Sequence, residues 1–228
     1  MRNLSFGVNE YFHIYNRGVD KRDVFMSSGD LKRFMALLFV SNRSKLQLSR
    51  LSRDNKQKYF QYLENIKEVE EWVDIVAYCL MPNHFHLVVR EKVEGGVSSF
   101  VHKLTTSYSK NFNKKYERTG ALFQGKFKAE HINNDAYFNY IFCYVNLNPL
   151  SLFDPRWKKT GVSDKEGAKE FLMNYNYSSY LDCIGVDRGE KIILNRDEMP
   201  DFLQDFDNFQ GFVDGWFKNK GACEIVAN

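Results

Sequence analysis

The sequence predicts an α+β fold in which helices cover an antiparallel sheet. Short segments alternate apolar and polar residues with the period of a strand, and longer segments repeat apolar residues with the period of a helix. Their order along the chain is strand, helix, two strands, helix, strand and helix. A tight connection at Met81-Pro82-Asn83 joins the two consecutive strands, as in an antiparallel pair.

The elements of this order lie between residues 10 and 148. Strands are predicted at 10–16, 72–80, 85–90 and within 121–132, and helices at 30–41, 97–116 and 135–148. Asp30 is a plausible N-cap of the first helix. The last helix must stop near Asn148, because a residue before proline avoids the helical region. We expect a main domain at residues 1–150 and a C-terminal helical extension at 151–228, packed on or beside it.

Composition excludes several classes of protein. The 228 residues are 43% hydrophobic and 27% charged, which suits a packed core and argues against disorder. We expect no membrane span and no signal peptide, because long apolar runs are missing. The cysteines lack a CxxC pair, which argues against a zinc knuckle or disulfide framework and indicates a cytoplasmic protein. These cysteines are Cys79, Cys143, Cys183 and Cys223.

The distribution of charge is more informative than the net charge of +3. Residues 101–130 contain seven Lys or Arg and two acidic residues, whereas residues 182–216 contain nine acidic residues and three basic ones. This asymmetry indicates a central patch that faces a polyanion and an acidic tail directed away from it. On charge alone, ordinary surface helices explain the pattern equally well.

The segment PNHFHLVV carries the sharpest chemical signal. On a strand, His84 and His86 point to one face, while Phe85, Leu87 and Val89 point to the other and can enter the core. Two same-face imidazoles separated by one residue suit a metal ion. The alternative is a pair of half-exposed strand histidines.

This segment and several further blocks of the sequence resemble one family of enzymes, and the blocks occur in the same order as in that family. Residues 80–89 (LMPNHFHLVV) resemble the histidine–hydrophobic–histidine (HUH) motif of single-tyrosine transposases, in the form found in REP-associated tyrosine transposases and related insertion-sequence transposases. Further similar blocks extend the resemblance over roughly residues 10–180. They are residues 13–18 (HIYNRG), 108–113 (YSKNFN), 120–127 (GALFQGKF), 144–149 (YVNLNP) and 177–180 (YSSY).

The resemblance implies a ferredoxin-like HUH endonuclease fold, with the transposase activity in residues 1–150. It implies that Tyr144 is the nucleophile and that Asn148, one helical turn later, is the third metal ligand beside His84 and His86. Related enzymes often have Gln at the third position. The expected ion is Mg²⁺ or Mn²⁺, and the expected covalent intermediate is a 5′-phosphotyrosine. Tyr140 and Tyr137 lie near the same helical stripe and remain alternative nucleophiles.

The expected partner is single-stranded or hairpin DNA. We therefore expect a cytoplasmic protein associated with the nucleoid. Relatives act as monomers or as homodimers, so either state is possible for this chain. Leu104, Tyr108 and Phe112 follow helical spacing and are predicted to be buried. Polar and basic side chains around them are predicted to bind DNA. They are Arg17, Lys110, Asn113, Lys114, Lys115, Arg118 and Lys126.

Two other functions fit part of the pattern. One is a nucleic-acid-binding protein on the same fold without catalysis. The other is a metal-dependent phosphoesterase that uses water in place of tyrosine, although no second histidine or acidic cluster accompanies the histidine pair. His102 and His131 have no spacing argument, whereas His13 lies on a sheet face and can approach the site.

Overall fold

The computed structural model describes residues 5–43, 70–198 and 206–218. Within these residues, four strands form an antiparallel sheet in the spatial order β2-β3-β1-β4. The strands are β1 (Tyr11–Arg17), β2 (Val73–Met81), β3 (His84–Glu91) and β4 (Lys128–Ile132). The predicted α+β class is therefore confirmed, including the tight connection between β2 and β3.

Three long helices follow the predicted positions. They are α1 (Ser28–Ser41), α2 (Gly96–Lys115) and α3 (Asp135–Leu147). The later helices are α4 (Leu150–Phe153), α5 (Trp157–Thr160), α6 (Lys165–Asn174), α7 (Tyr180–Cys183) and α8 (Phe206–Lys218). Short 3₁₀ segments occupy Val19–Lys21, Gly189–Ile193 and Arg196–Glu198. Residues 42–71 are strongly charged, and the sequence predicts solvated helix and loop there; this segment lies largely outside the described residues.

The start of α1 corrects one prediction. Ser27, not Asp30, is the N-cap, and its side chain accepts a hydrogen bond from the Asp30 backbone N–H. Asp30 lies in the first turn, where a carboxylate interacts favourably with the positive end of the helix dipole. Its carboxylate accepts from the Met26 backbone N–H and pairs with Lys115 at 2.6 Å.

The sheet separates an apolar face from a polar one. Phe85, Leu87 and Val89 are fully buried on the apolar face, as predicted, and the Phe85 ring lies 5.1 Å from Phe34 of α1. From α2, the predicted stripe Leu104, Tyr108 and Phe112 packs into the same core. The apolar face is thus closed by α1 and α2, which leaves the histidine face to α3.

Residues beyond 150 cover the edge strand β2. The backbone of Ser179 donates to Tyr78 O at 2.9 Å, and Leu80 N donates to Tyr177 O at 2.9 Å. The Ser179 hydroxyl also donates to Asn146 Oδ1 of α3 at 2.6 Å. An edge strand exposes unpaired backbone groups, and these contacts satisfy them. Within the described part of the chain, no helix has the length and apolarity needed to cross a membrane.

Candidate active site

Strand register brings the polar site together on one face of the sheet. His86 pairs with Tyr15 on β1 and with Cys79 on β2, and His84 pairs with Arg17 and Met81. Directly paired residues of antiparallel strands share a face. The imidazole centroids of His84 and His86 are 5.0 Å apart. The predicted same-face histidine pair is confirmed, and both rings face the side on which α3 packs.

Tyr144 is the α3 tyrosine whose ring meets this pair. Its ring centroid lies 5.5 Å from that of His86, with the two planes at 89°. Tyr140, one turn earlier, stacks on Tyr144 at 6.1 Å and contacts Trp216 of α8 at 5.4 Å. Tyr137 donates its phenol proton to Glu130 at 2.8 Å. The geometry therefore favours Tyr144 among the three alternatives.

The extension contributes a cation that the sequence did not indicate. Lys158 of α5 donates from Nζ to the Tyr144 hydroxyl at 3.1 Å and lies 4.4 Å from the centre of the Tyr144 ring. The neighbouring Trp157 anchors α5, because its ring is buried against Trp216 at 5.8 Å and its indole N–H donates to Ser151. Lys158 is thus held beside the predicted nucleophile.

Both histidines are kept in the uncharged form. Burial, then the positive charges of Lys158 and Arg17, lowers the pKa of His84 to about 4, against a smaller opposing effect of the neighbouring Asn148 side chain. Burial, with the neighbouring His13 and His84 rings and Lys158, holds the pKa of His86 well below its ordinary value. Neutral imidazole is the form that coordinates metals.

The tautomer of His84 is fixed by the β2–β3 turn. The Asn83 amide nitrogen donates to Lys21 O at 3.1 Å, which directs its oxygen to His84 Nδ1 at 2.6 Å. A carbonyl oxygen only accepts, so Nδ1 must carry the proton and Nε2 keeps its lone pair. Gly18 holds this turn against β1, because its backbone N–H donates to Asn83 O at 2.8 Å, and a Cβ at Gly18 would lie 2.2 Å from Arg22 O in the following segment.

Asn148 completes a donor set that fits a divalent cation. It is 1% exposed, it follows α3 directly, and its Nδ2 is buried with no hydrogen-bond partner among the described residues. Its side chain reaches His84. Among the described residues, no group of three or more His, Cys, Asp or Glu is arranged to hold a metal. A bound ion would therefore depend on the amide oxygen of Asn148 together with the two imidazoles.

His13 extends the site on the β1 side. Its Nε2 lies 2.9 Å from His86 Nδ1, and its Nδ1 lies 3.7 Å from Glu130 Oε2. Glu130 also accepts hydrogen bonds from Tyr15 and Tyr137. Interaction with His13, followed by these phenol hydrogen bonds, outweighs burial and lowers the pKa of Glu130 to about 2. The carboxylate is therefore ionised at neutral pH.

The predicted DNA contacts divide into two groups. Lys110, Asn113 and Lys126 line a common cleft of about 900 Å³ between α2 and residues 120–127. Arg17 lies at the boundary between this loop and the histidine face, where its Nε donates to Gln124 at 2.6 Å.

The other predicted contacts lie outside the cleft lining. Lys115 pairs with Asp30, whereas Arg118 contacts Asn113 at 3.4 Å and the face of the Phe112 ring. Lys114 is exposed near the end of α2. The structure thus brings three of the seven predicted contacts into one cleft and places Arg17 beside it.

Comparison with known proteins supports the same family. The family model described as "Transposase IS200 like" matches residues 37–148, which include the histidine pair, Tyr144 and Asn148. A solved structure described as a REP-associated tyrosine transposase bound to a REP hairpin is 13% identical, with a TM-score of 0.49 over 83% of this chain and 88% of that one. No curated protein matches the sequence. Residues 37–148 therefore form a region of the IS200-like transposase family.

Proposed function

We propose that the protein cleaves and rejoins single-stranded or hairpin DNA through a covalent bond to Tyr144. The observation that carries this proposal is the placement of the Tyr144 ring 5.5 Å from His86, on the helix that also delivers Asn148. A candidate nucleophile, a cation and a candidate metal donor set meet at one point of the sheet. This combination serves phosphoryl transfer, and a protein that only bound DNA would not need it.

In the proposed cleavage step, the Tyr144 oxygen attacks the scissile phosphorus. A tyrosine O–P bond forms as the bond from phosphorus to the 3′ oxygen breaks, and the phenol proton is lost as the leaving oxygen gains one. The chain then holds a 5′-phosphotyrosine, and the freed DNA end is a 3′ hydroxyl. Rejoining is the reverse attack by a 3′ hydroxyl, so the phosphotyrosine conserves the bond energy.

Lys158 would assist this step from the extension. A phenol is a weak nucleophile at neutral pH, and its oxygen gains negative character as the proton leaves. An ammonium group that already contacts the hydroxyl stabilises this charge without rearrangement.

His84, His86 and Asn148 would hold Mg²⁺ or Mn²⁺. Such an ion, when bound, polarises the scissile phosphate and stabilises charge in the transition state. The protein side chains would orient the scissile phosphate and the Tyr144 phenol toward each other.

The test is a reaction of the full-length protein with end-labelled single-stranded and hairpin DNA, with Mg²⁺ or Mn²⁺, followed by denaturation. We expect a labelled protein–DNA adduct that survives SDS, because a phosphotyrosine is covalent. Cutting without an adduct would replace the proposal with a metal-activated water mechanism. Binding without cutting would replace it with a non-catalytic DNA-binding function.

Replacing the Lys158 ammonium should slow cleavage while leaving the nucleophile in place. A charge-assisted hydrogen bond contributes about 1.5–3 kcal/mol, so Lys158→Met should reduce the single-turnover cleavage rate by about 10- to 100-fold. Lys158→Arg should retain much of the rate, since it keeps the charge. Lys159→Met, at the exposed neighbouring position, is the matched control. Equal rates for Lys158→Met and Lys159→Met would show that Lys158 has no part in the reaction.

Charge reversal in the α2 cleft should weaken DNA binding and its dependence on salt. Each lost phosphate contact lowers the slope of log affinity against log salt by about 0.7 for single strands. Lys110→Glu combined with Lys126→Glu should therefore flatten the slope by about 1.4, as measured by fluorescence anisotropy. Lys32→Glu combined with Lys165→Glu is the matched control, because it changes the net charge by the same amount at exposed positions outside the cleft. If both double variants change the slope equally, the DNA does not follow this cleft.

A further inference from the structure

The environment of His86 contains a second, buried imidazole. His13 and His86 are 4% and 7% exposed, and their rings are nearly parallel, at 14°. A single hydrogen bond of 2.9 Å joins His13 Nε2 to His86 Nδ1. One of these nitrogens must donate and the other accept, so the direction of this bond decides which nitrogen of His86 keeps a lone pair for coordination.

Glu130 determines that direction. His13 and Glu130 are directly paired across β1 and β4, which places the carboxylate 3.7 Å from His13 Nδ1. In a neutral His13, donation from Nε2 to His86 would leave the Nδ1 lone pair facing the negative carboxylate, and the two would repel. If His13 Nε2 accepts instead, Nδ1 carries a proton that faces Glu130 across 3.7 Å, an electrostatic attraction beyond hydrogen-bond distance. The second arrangement is favoured, because repulsion between a lone pair and a carboxylate costs more free energy next to a buried ring than in water.

The consequence reaches the metal site. When His13 Nε2 accepts, the proton of His86 lies on Nδ1, and its Nε2 keeps the lone pair. The opposite tautomer would place the proton on Nε2 and block coordination through it. His84 is held in the same tautomer by Asn83, so both imidazoles then present Nε2.

We propose that Glu130 and His13 are positioning residues that fix the coordinating tautomer of His86. The inference rests on the proposed function, since it concerns the metal site of that function. Tyr15 and Tyr137 have a supporting part, because their hydroxyl groups donate to Glu130 at 2.8 Å each and orient its carboxylate. Groups that orient a ligand in this way commonly contribute 10- to 100-fold to metal affinity.

The direct test is nitrogen NMR of the wild-type protein with ¹⁵N-labelled histidines, without added metal. We expect His86 to show a protonated Nδ1 and an unprotonated Nε2. The opposite assignment would overturn the proposal, and this measurement requires no variant.

Mn²⁺ affinity, followed by electron paramagnetic resonance, provides the second test. His13→Phe removes the acceptor and should weaken Mn²⁺ binding by about 10- to 100-fold. His13→Gln keeps an amide oxygen that accepts from His86 and an amide N–H₂ that donates to Glu130, so it should restore most of the affinity. Affinities that are equal for wild type and His13→Phe would contradict the proposal.

Glu130→Gln gives an independent readout, because the Glu130 side chain is 47% exposed and its replacement is mild. It should weaken Mn²⁺ binding and raise the population of the opposite His86 tautomer. Glu10→Gln is the matched control, since Glu10 faces His131 at 3.4 Å on the same sheet, away from the candidate site. The proposal is wrong if Glu130→Gln leaves the tautomer unchanged.

Mn²⁺ affinities of the variants distinguish a wrong metal site from a wrong positioning role. If His86→Ala keeps the wild-type affinity for Mn²⁺, the proposed metal site itself is wrong. If His86→Ala loses the affinity while His13→Phe and Glu130→Gln keep it, the metal site stands and only the positioning role is refuted.

Discussion

Tyr144→Phe should abolish both DNA cleavage and the covalent adduct. The substitution removes only the phenolic oxygen, which is the atom proposed to attack phosphorus. Loss of a nucleophile typically lowers the rate by roughly 10³-fold or more. The cost in folding stability should be small, about 0.5–1.5 kcal/mol, because the oxygen makes one described hydrogen bond, from Lys158. Mn²⁺ affinity should remain at the wild-type value, because His84, His86 and Asn148 are unchanged.

Tyr140→Phe is the matched control for this variant. Tyr140 lies one turn earlier on α3 and stacks on the Tyr144 ring at 6.1 Å, so it shares the aromatic environment. We expect it to retain substantial activity. Mass spectrometry of the trapped adduct should place the DNA on the peptide that contains Tyr144 and assign it to that residue. An adduct on Tyr140 or Tyr137 would refute the assignment of the nucleophile but preserve the tyrosine mechanism.

The parts of the site that could be predicted depend on residues that lie close together in the sequence. The face shared by His84 and His86 follows from strand alternation alone, and the spacing of Tyr144 and Asn148 follows from one helical turn. Local periodicity also gave the buried stripe of α2. These features depend on neighbours in sequence, and the structure preserves them.

His13 and Lys158 could not be assigned in the same way, because their roles depend on contacts between distant segments. Strand alternation placed His13 and Tyr15 on one face of β1, but only the pairing of β1 with β3 shows that this is the face of His86. Lys158 belongs to a short helix without useful periodicity, and its position depends on the packing of Trp157 against Trp216. No local pattern encodes either contact.

The cap of α1 is a different case, because a local signal was present. Ser27 is followed three residues later by Asp30, and this spacing is typical of a helix start with a serine cap. The carboxylate and the hydroxyl are both good capping groups, so residue preference alone did not separate them. The structure assigns the hydroxyl to the cap and leaves the carboxylate to pair with Lys115.

Removing either imidazole of the pair should eliminate metal-dependent cleavage. His84→Ala and His86→Ala each delete one of three proposed ligands, so we expect no detectable cutting and a large loss of Mn²⁺ affinity. Their effects on folding should differ. His84 is only partly buried, whereas deletion of His86 leaves the buried Nε2 of His13 without its partner and should cost about 1–3 kcal/mol of stability.

The choice of metal gives a further distinction for the same site. Imidazole nitrogens suit Mn²⁺ better than Mg²⁺, which prefers oxygen ligands, so Mn²⁺ should support wild-type cleavage at least as well as Mg²⁺. His131→Ala is the control, because His131 pairs with Phe12 in the sheet register and therefore points to the opposite face. It should cleave at the wild-type rate with either ion. Full cleavage by His84→Ala or His86→Ala would exclude this ligand set. Activity with Mg²⁺ but not with Mn²⁺ would also exclude it, because two imidazoles and one amide oxygen cannot favour the harder ion so strongly.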